Sequence, residues 1–484
     1  MIDILKALVR FEWMRLSRSR MRASAILVFF ACGLYAIASG QHHVSTWKET
    51  LDELTQRETT QREQALAWFS AGRTGPEGRT WIDVSQARWA DRYASAHAVM
   101  EPEPLAALAI GLSDIRATWA TVSGMGGARP FQTADPATLG NAEKLLAGNF
   151  DLAFVFAYLL PLLLLVLLFD VGGLERDLGM MRMVRVQSVS PRSWLLLRAA
   201  LPIVLVAMLA LLLCVVGGLW SGAIGATFGS WSTFTLLVLG YTCLWGALFA
   251  AVLAAGTGVS AAALWMVGLW LGFCVVVPAA VRQVVGQEHP SLYASELTTA
   301  MRAERYEILL GDVAEHEPAF YQARPNLPTS EPSSRASGST RRRIVQQAAF
   351  LDIVGDVTQK MSSDEIARET AVARWGWVNP AYVLQRALCG LAGTESVSFR
   401  AHRDDVFTSV TSRLDALVGP TWNEQPFTLE TFEGLFEHGL SQRYGLPPRA
   451  GTWSRLLVLL VIAVVAFVVL ATMRGKRERQ AGVI

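Results

Sequence analysis

Residues 152–169 read LAFVFAYLLPLLLLVLLF, a run without a charged side chain that is followed at once by Asp170. A helix needs about 17–25 apolar residues to cross the hydrocarbon core of a bilayer, which is about 30 Å thick. Core helices of soluble proteins seldom run this long without a charge. The stretch therefore predicts a membrane-spanning helix, and it indicates that the whole chain is a membrane protein.

Five further stretches have the same character, and the only charged side chains in them are Arg198 and Arg455, the second residue of its stretch. Arg198 lies close enough to the end of its stretch for the side chain to snorkel to the membrane interface. The 484-residue chain is 52% apolar and 17% charged, with a mean hydropathy of +0.32, which argues against an ordinary cytosolic enzyme. The predicted spans are residues 23–40, 152–169, 194–219, 233–256, 260–281 and 454–473.

The first span also has the outline of a secretory signal peptide, because basic residues precede it. Its basic region is long and amphipathic, however, and the end of the stretch, residues 37–40, resembles a cleavage site only loosely. We therefore expect an uncleaved span.

Basic residues predict the orientation of the spans. They concentrate in three segments, residues 6–22, 176–192 and 474–479. Six spans place all three on one side, which is predicted to be the cytoplasm because Lys and Arg flank spans on that side. Both termini are then cytoplasmic, and the connection 220–232, which lacks Lys and Arg, faces outward. The net charge of +2 gives no general basic field, so nucleic acid is not an expected partner.

Two long insertions between spans are predicted to lie outside the cytoplasm. The first insertion, residues 41–151, places Trp47, Leu51 and Leu54 at helical spacing. The second insertion, residues 282–453, contains a Pro/Ser-rich stretch at 324–340 that is too polar to order itself by burial. We predict two mainly helical domains, the second with a flexible linker at 324–340.

The sequence carries no catalytic machinery that we can identify. Ion-coupled transporters usually need ionisable groups near the middle of the membrane, and these spans have none there. No G-x-x-x-x-G-K-[ST] loop is present to bind a nucleotide, and no pair of histidines has zinc-binding spacing. We predict no catalytic residue, no metal site and no cofactor, so any ATP is hydrolysed by another chain.

The segment between the second and third spans, residues 170–193, combines charged and apolar residues in one short stretch. This composition favours a short amphipathic helix that docks on another protein, and the alternative is a solvated connecting loop. The candidate docking residues are Glu175, Arg176, Asp177, Gly179, Met180 and Arg182.

At these residues the chain resembles the membrane subunits of ABC-2 type transporters. Those subunits have six spans, an amphipathic N-terminal interface helix, and a first cytoplasmic loop of the form E-R-E-x-G-T followed by a Pro-Ser-Arg-like turn. Here residues 175–180 read ERDLGM and residues 191–193 read PRS. Asp177 thus replaces the second Glu and Met180 replaces the Thr, and residues 1–22 correspond to the interface helix.

Further short motifs resemble the subfamily of these permeases that has two large outer domains of unknown function. They lie at residues 148–154, 160–162, 277–279, 379–381 and 391–395. The resemblance thus covers most of the chain. It implies an all-α membrane protein with six transmembrane helices of ABC-2 (type V exporter-like) topology and two mainly helical extracytoplasmic domains.

The resemblance also implies function and partners. The chain would be a permease subunit in a bacterial plasma (inner) membrane that pairs with a second copy or a related permease. It would dock two copies of a separate ATPase onto the loop at 170–193. ATP and Mg would be bound by the ATPase, so this chain is not itself an enzyme. Membrane lipid surrounds the spans, and an outer-face protein could bind the insertions. Residues 474–484 would form a cytoplasmic tail.

Three prolines fall within or near the ends of spans: Pro161, Pro202 and Pro278. Each removes a backbone hydrogen bond, so each could act as a working pivot or as a static kink. The alternative function, from a different class, is a non-transporting membrane scaffold or sensor whose outer domains bind a partner protein. Stimulation of ATPase activity by a substrate would separate the two.

Overall fold

A computed structural model of the chain describes eleven stretches of residues: 10–15, 17–125, 150–180, 183, 191–256, 258–289, 303, 306–308, 310–328, 335–376 and 379–437. Within these stretches the protein is mostly helical, as the sequence predicts. The predicted sixth span at 454–473 and the tail at 474–484 lie outside the described residues.

The elements are numbered in chain order. The first half of the chain contains α1 (10–15), α2 (Arg20–Ser70), α3 (Ala87–Tyr93), β1 (Ala96–Val99), β2 (Trp119–Val122), α4 (Leu152–Phe154), a π-helical turn π1 (Val155–Leu159), α5 (Leu160–Leu168), α6 (Gly173–Asp177) and α7 (Pro191–Trp220). The second half contains α8 (Ala223–Ala226), α9 (Phe228–Ala254), α10 (Val259–Leu271), a π-helical turn π2 (Gly272–Val276), α11 (Val277–Glu288), α12 (Glu317–Ala323), α13 (Arg335–Arg374), α14 (Pro380–Leu391), α15 (Ser396–Trp422) and α16 (Leu429–Glu437).

Five helical runs in the described chain are long and apolar enough to cross a membrane. They contain the first five predicted stretches: the first part of α2, then α4–α5, α7, α9 and α10–α11. Large apolar side chains on their outer surfaces are strongly exposed, for example Leu236 at 64% and Leu264 at 74%. Soluble monomers rarely expose apolar patches of this extent, so the surface is consistent with a membrane protein.

The spans have two distinct ends. The two insertions and the connection from α7 to α9 lie at one end, where Gly217 of α7 meets Leu108 of the first insertion. We call this the insertion end. The other end, the loop end, holds α1, α6 and the connection before α10, where Gly258 lies against Asp177. The described residues of two of the three basic segments, the N-terminal one and the one after the second span, therefore lie at the loop end.

The two insertions are predicted as separate domains, but they share apolar cores. Trp89 from the first insertion belongs to the same buried cluster as Phe320 and Val410 from the second. A buried ion pair also joins them, with Nε of Arg413 donating to Oδ1 of Asp91 at 2.7 Å. The insertions therefore form one body that rests on the spans.

The structure departs from the sequence-based expectation in two places. The first insertion contains a short antiparallel pair, in which Ala96 of β1 lies opposite Val122 of β2. In the second insertion α13 begins at Arg335, so residues 335–340 are helical rather than part of a flexible linker. The next turns of α13 anchor it, because Ile344 is fully buried and the guanidinium of Arg341 donates to the Trp422 carbonyl.

The insertions attach to the spans through α14 and the loop before α4. The apolar side chains of α14, such as Leu384 and Leu388, are buried among the spans. Oγ1 of Thr394 donates to the Ala109 carbonyl at 2.7 Å. The carboxylate of Asp151 accepts from the amides of Ile110 and Phe154, both at 2.8 Å. Burial raises the pKa of Asp151 to about 6.

Candidate functional site

The predicted docking segment forms a short helix at the loop end. The helix α6 begins after Gly172, whose φ of 74° suits glycine because it lacks a Cβ atom. The next residue, Gly173, lies against the backbone of Val259, where an added Cβ would come within 3.0 Å of the Val259 nitrogen. The chain reverses again at Gly179, with φ of 70°. These glycines let α6 lie directly on the start of α10.

The side chain of Glu175, the first predicted docking residue, points into the protein. Its carboxylate forms an ion pair with Arg198 of α7, which in turn pairs with Glu12 of α1. The expectation that Arg198 snorkels to the interface is wrong, since its side chain is only 2% exposed. It stays inside because two carboxylates neutralise it and the Trp194 ring lies 4.7 Å from its guanidinium carbon.

A second group of ion pairs lies beside the first. Asp170, the residue that ends the second span, pairs with Arg15 of α1 and with Arg22 of α2. Arg15 also pairs with Glu12 at 3.1 Å, which connects the two groups. Three carboxylates and three guanidinium groups thus form one neutral cluster, which we call the loop-end ion cluster: Glu12, Arg15, Arg22, Asp170, Glu175 and Arg198.

The loop-end ion cluster connects α1, the starts of the first and third spans, the end of the second span, and α6. Taking charges out of water is unfavourable, and pairing repays that penalty only when every charge keeps its partner. Removing the charge of a single member therefore leaves the buried cluster with one uncompensated charge. The cluster makes the position of α6 depend on three spans at once.

Asp177, another predicted docking residue, also bonds within the chain. Its Oδ2 accepts from the backbone amide of Val259 at 3.1 Å. This amide is at the first residue of α10, where helix amides have no partner in their own helix. Asp177 therefore joins α6 to the fifth span, in addition to the three spans that the ion cluster connects.

The remaining predicted docking residues lie at the surface or outside the described chain. Met180 is 48% exposed and Gly179 is exposed, whereas Arg176 is half-buried. Arg182 lies outside the described residues. Neighbouring apolar side chains that sequence reasoning did not single out are also exposed, including Leu178 at 64% and Leu174 at 44%. Their signal was present in the sequence as large apolar residues within a charged loop.

The exposed surface of α6 and of the turn after it is thus rich in apolar side chains, while Glu175 faces inward and the exposed Asp177 is bonded to the start of α10. Such a face is suited to contact with another protein, because apolar surface is buried when partners associate. Within the described residues no group of three or more His, Cys, Asp or Glu side chains is placed to hold a metal ion. The arrangement provides a contact surface and mechanical connections.

Two of the predicted pivot prolines follow π-helical turns. Pro161 comes after π1 and cannot donate to the carbonyl of Ala157, four residues before it. The buried hydroxyl of Tyr241 donates to that carbonyl at 2.7 Å instead. Nε1 of Trp270 donates to the next carbonyl, that of Tyr158, at 3.1 Å.

Pro278 likewise follows π2, whereas α7 continues through Pro202. The sequence indicates that a donor is needed near Pro161, but it does not identify Tyr241 or Trp270. Those donors come from the fourth and fifth spans, and only the packing of the spans brings them to π1.

No protein-family model, no curated protein and no solved structure matches this chain.

Proposed function

We propose that the chain is the transmembrane permease subunit of an ATP-binding cassette transporter, in which a separate ATPase docks on α6. The observation that carries the proposal is the combination at the loop end: an exposed apolar face at Leu174, Leu178 and Met180 on a helix whose acidic residues bind the spans. A protein that presses on this face moves α6. Because α6 is connected to four of the described spans, directly to the third and fifth and through the loop-end ion cluster to the first and second, the displacement reaches all four of them.

In this proposal the coupling is mechanical. ATP-driven closure of two ATPase subunits pushes on α6, and rigid elements with two discrete arrangements carry the displacement across the membrane. The ion pairs of Glu175 and Asp170 transmit the push to the first three spans, and Asp177 transmits it to the fifth. This chain contributes no nucleotide chemistry, and ATP and Mg belong to the partner.

The remaining features of the proposal concern the assembly. The loop end faces the cytoplasm of a bacterial plasma membrane, and the insertions face outward, in accord with the basic residues that gather at the loop end. The proposal includes the sequence-predicted sixth span at 454–473, which lies outside the described residues, and a second permease copy completes the transporter. The transported substrate is exported or extracted from the membrane.

One observation favours the alternative, a scaffold or sensor. The helix α2 runs without interruption from Arg20 at the loop end to Ser70 within the insertions, a length of about 76 Å at 1.5 Å per residue. A continuous helix of this kind can pass a signal between the outer body and a cytoplasmic partner without any transport. Both functions use the same docking face.

Site-specific photo-crosslinking tests the docking face. A photoreactive amino acid is introduced at Leu178 or Met180 of the full chain in native membranes, and the crosslinked partners are identified by mass spectrometry. We expect an ATP-binding cassette ATPase at both positions. Leu236, which is equally exposed but lies on the fourth span, is the matched control and should give no ATPase adduct.

Crosslinks to proteins without a nucleotide-binding cassette, or to none, would contradict the docking of an ATPase. The purified complex in liposomes then separates the two functions. A transporter should hydrolyse ATP faster when lipids, peptides or other candidate substrates are added, whereas the ATPase of a scaffold or sensor should not respond to any of them.

A further inference from the structure

The N-terminal segment sorts its charged residues into two groups. Glu12, Arg15 and Arg22 face inward and belong to the loop-end ion cluster. The other three arginines of residues 10–22, which are Arg10, Arg18 and Arg20, are exposed. Within the described chain these three form no ion pair. The three carboxylates of the loop-end ion cluster are already paired, so among the described residues the outer surface of the segment carries an uncompensated positive charge.

The same outer surface carries large apolar side chains. Trp13 is 62% exposed, Met21 is 52% exposed, and Phe11 and Met14 are also exposed. In α1 the exposed residues alternate with the inward-facing Glu12 and Arg15. One side of the helix is therefore bonded to the rest of the protein, and the other side faces away from it. Arginine mixed with Trp, Phe and Met is the composition of helices that lie in the interface of a membrane.

The position of this surface relative to the first span indicates how deep in the membrane the surface lies. Ser19 has extended backbone angles, with φ of −87° and ψ of 107°, and separates α1 from α2. The uncharged stretch of α2 then begins at Ala23, one turn after Arg20. If α2 crosses the bilayer, Arg18, Arg20 and Met21 lie at the level of the lipid headgroups, where cationic and aromatic side chains anchor spans.

We propose that the exposed face of residues 10–21 binds the headgroups of anionic phospholipids. The unpaired arginines supply the charge for the phosphates, and Trp13 and its apolar neighbours enter the boundary between headgroups and acyl chains. The proposal rests on α2 being a span and does not depend on the identity of any ATPase. Its consequence is that the lipid holds the outer side of α1 while the ion cluster holds the inner side.

Charge complementarity favours lipid over a protein at this face. A protein partner would need acidic groups at headgroup depth, where few soluble surfaces can reach, whereas anionic lipids are present at that depth throughout the leaflet. Each arginine near an anionic membrane surface contributes about 1 kcal/mol of attraction, so three correspond to about 100-fold in binding preference.

Native mass spectrometry of the full chain in detergent tests the proposal. The protein is mixed with equal amounts of phosphatidylglycerol and phosphatidylcholine that have the same acyl chains, and the adducts are counted. We expect wild type to prefer phosphatidylglycerol, and the triple variant R10Q/R18Q/R20Q to lose that preference by about 100-fold. The triple variant R10K/R18K/R20K should retain most of it, since lysine keeps the charge.

The matched control is R79Q/R342Q/R343Q, which removes three exposed charges from the insertions. It should bind phosphatidylglycerol like wild type. The proposal is overturned if R10Q/R18Q/R20Q keeps its lipid preference, or if the control loses as much as that variant does. It is also overturned if R10Q/R18Q/R20Q keeps its lipids but releases a protein partner from native membranes, because the face would then belong to that protein.

Discussion

Replacement of Asp91 by Asn tests whether the two insertions depend on a single buried ion pair. The Asp91 carboxylate accepts from Nε of Arg413 at 2.7 Å, from the amides of Gly124 and Met125 at 3.0 Å, and from the Ser123 hydroxyl at 2.6 Å. The two charged side chains are 2% and 0% exposed. The substitution keeps the size of the side chain and removes its negative charge.

The expected effect follows from the burial of Arg413. Loss of one partner of a buried ion pair costs about 3–5 kcal/mol, because the other charge is left uncompensated inside the protein. At 1.36 kcal/mol per factor of ten, the lower figure corresponds to an increase of about 160-fold in local opening. The energy is released only by exposing Arg413 to water, so the opening should separate the insertions where β2 meets α15.

Hydrogen exchange measured by mass spectrometry on the full chain in detergent reports this opening. Peptides that cover residues 119–125 and 410–418 should exchange about 160-fold faster in the Asp91→Asn variant. The matched control is Asp415→Asn, which removes the partner of Arg324 from the same helix. The Asp415 side chain is 52% exposed, and exposed pairs contribute about 1 kcal/mol or less, so its exchange should change by fivefold at most.

Equal exchange in the two variants would refute the reasoning, since it would show that water already reaches Arg413. A double variant adds a second check. Adding Arg413→Met to Asp91→Asn replaces the stranded charge with an apolar side chain and should restore part of the lost protection. An absence of any recovery would count against the ionic explanation.

Four further substitutions test other parts of the structure, each measured by unfolding of the full chain in detergent. Tyr241→Phe leaves a π1 carbonyl without its donor and should lower stability by about 1 kcal/mol, whereas Tyr35→Phe, at a 63% exposed position, should have no effect. Arg198→Met removes the cationic partner of Glu175, while Glu12 keeps Arg15, and it should destabilise by about 3 kcal/mol or more; an unchanged midpoint would show that the ion cluster is hydrated. Burial lowers the pKa of His402 to about 4 from 6.5, so the folded protein favours the neutral ring. The free energy of unfolding should therefore be highest above pH 6.5 and fall by about 3 kcal/mol as the pH drops to 4. His402→Gln should abolish this loss. Burial raises the pKa of Asp151 to about 6 from 3.8, so its effect has the opposite sign: the free energy of unfolding increases as the pH falls from 6 to 3.8. Asp151→Asn should remove that gain. Unfolding curves at pH 7, 5.5 and 4.5 check the effects of His402 and of Asp151.

The sequence predicts those elements that depend only on local composition. The run at 152–169 predicts a span because its length and lack of charge are sufficient by themselves, and the structure places α4, π1 and α5 there. The same argument fails for residues 335–340. Their Ser and Gly content suggests a linker, but Ile344 and Arg341 fix the start of α13 through contacts with residues far along the chain.

The candidate docking site shows the same division. The composition of the loop singles out Glu175, Asp177 and Met180, yet only the tertiary structure separates them by role: the two acidic residues bond within the chain and Met180 is exposed. Sequence reasoning treated Arg198 as a snorkelling residue because its partners, Glu12 and Glu175, come from other segments. Their proximity depends on how the spans pack.

By itself the sequence determined where the chain is apolar enough to enter a membrane and which ends of the spans carry basic charge. Both properties are sums over neighbouring residues, so they need no knowledge of the fold. Only the tertiary structure decided which opposite charges meet, which hydroxyl reaches the carbonyl freed by Pro161, and how the two insertions share a core. These are pairings between residues up to 322 positions apart, and they exist only after the helices have packed.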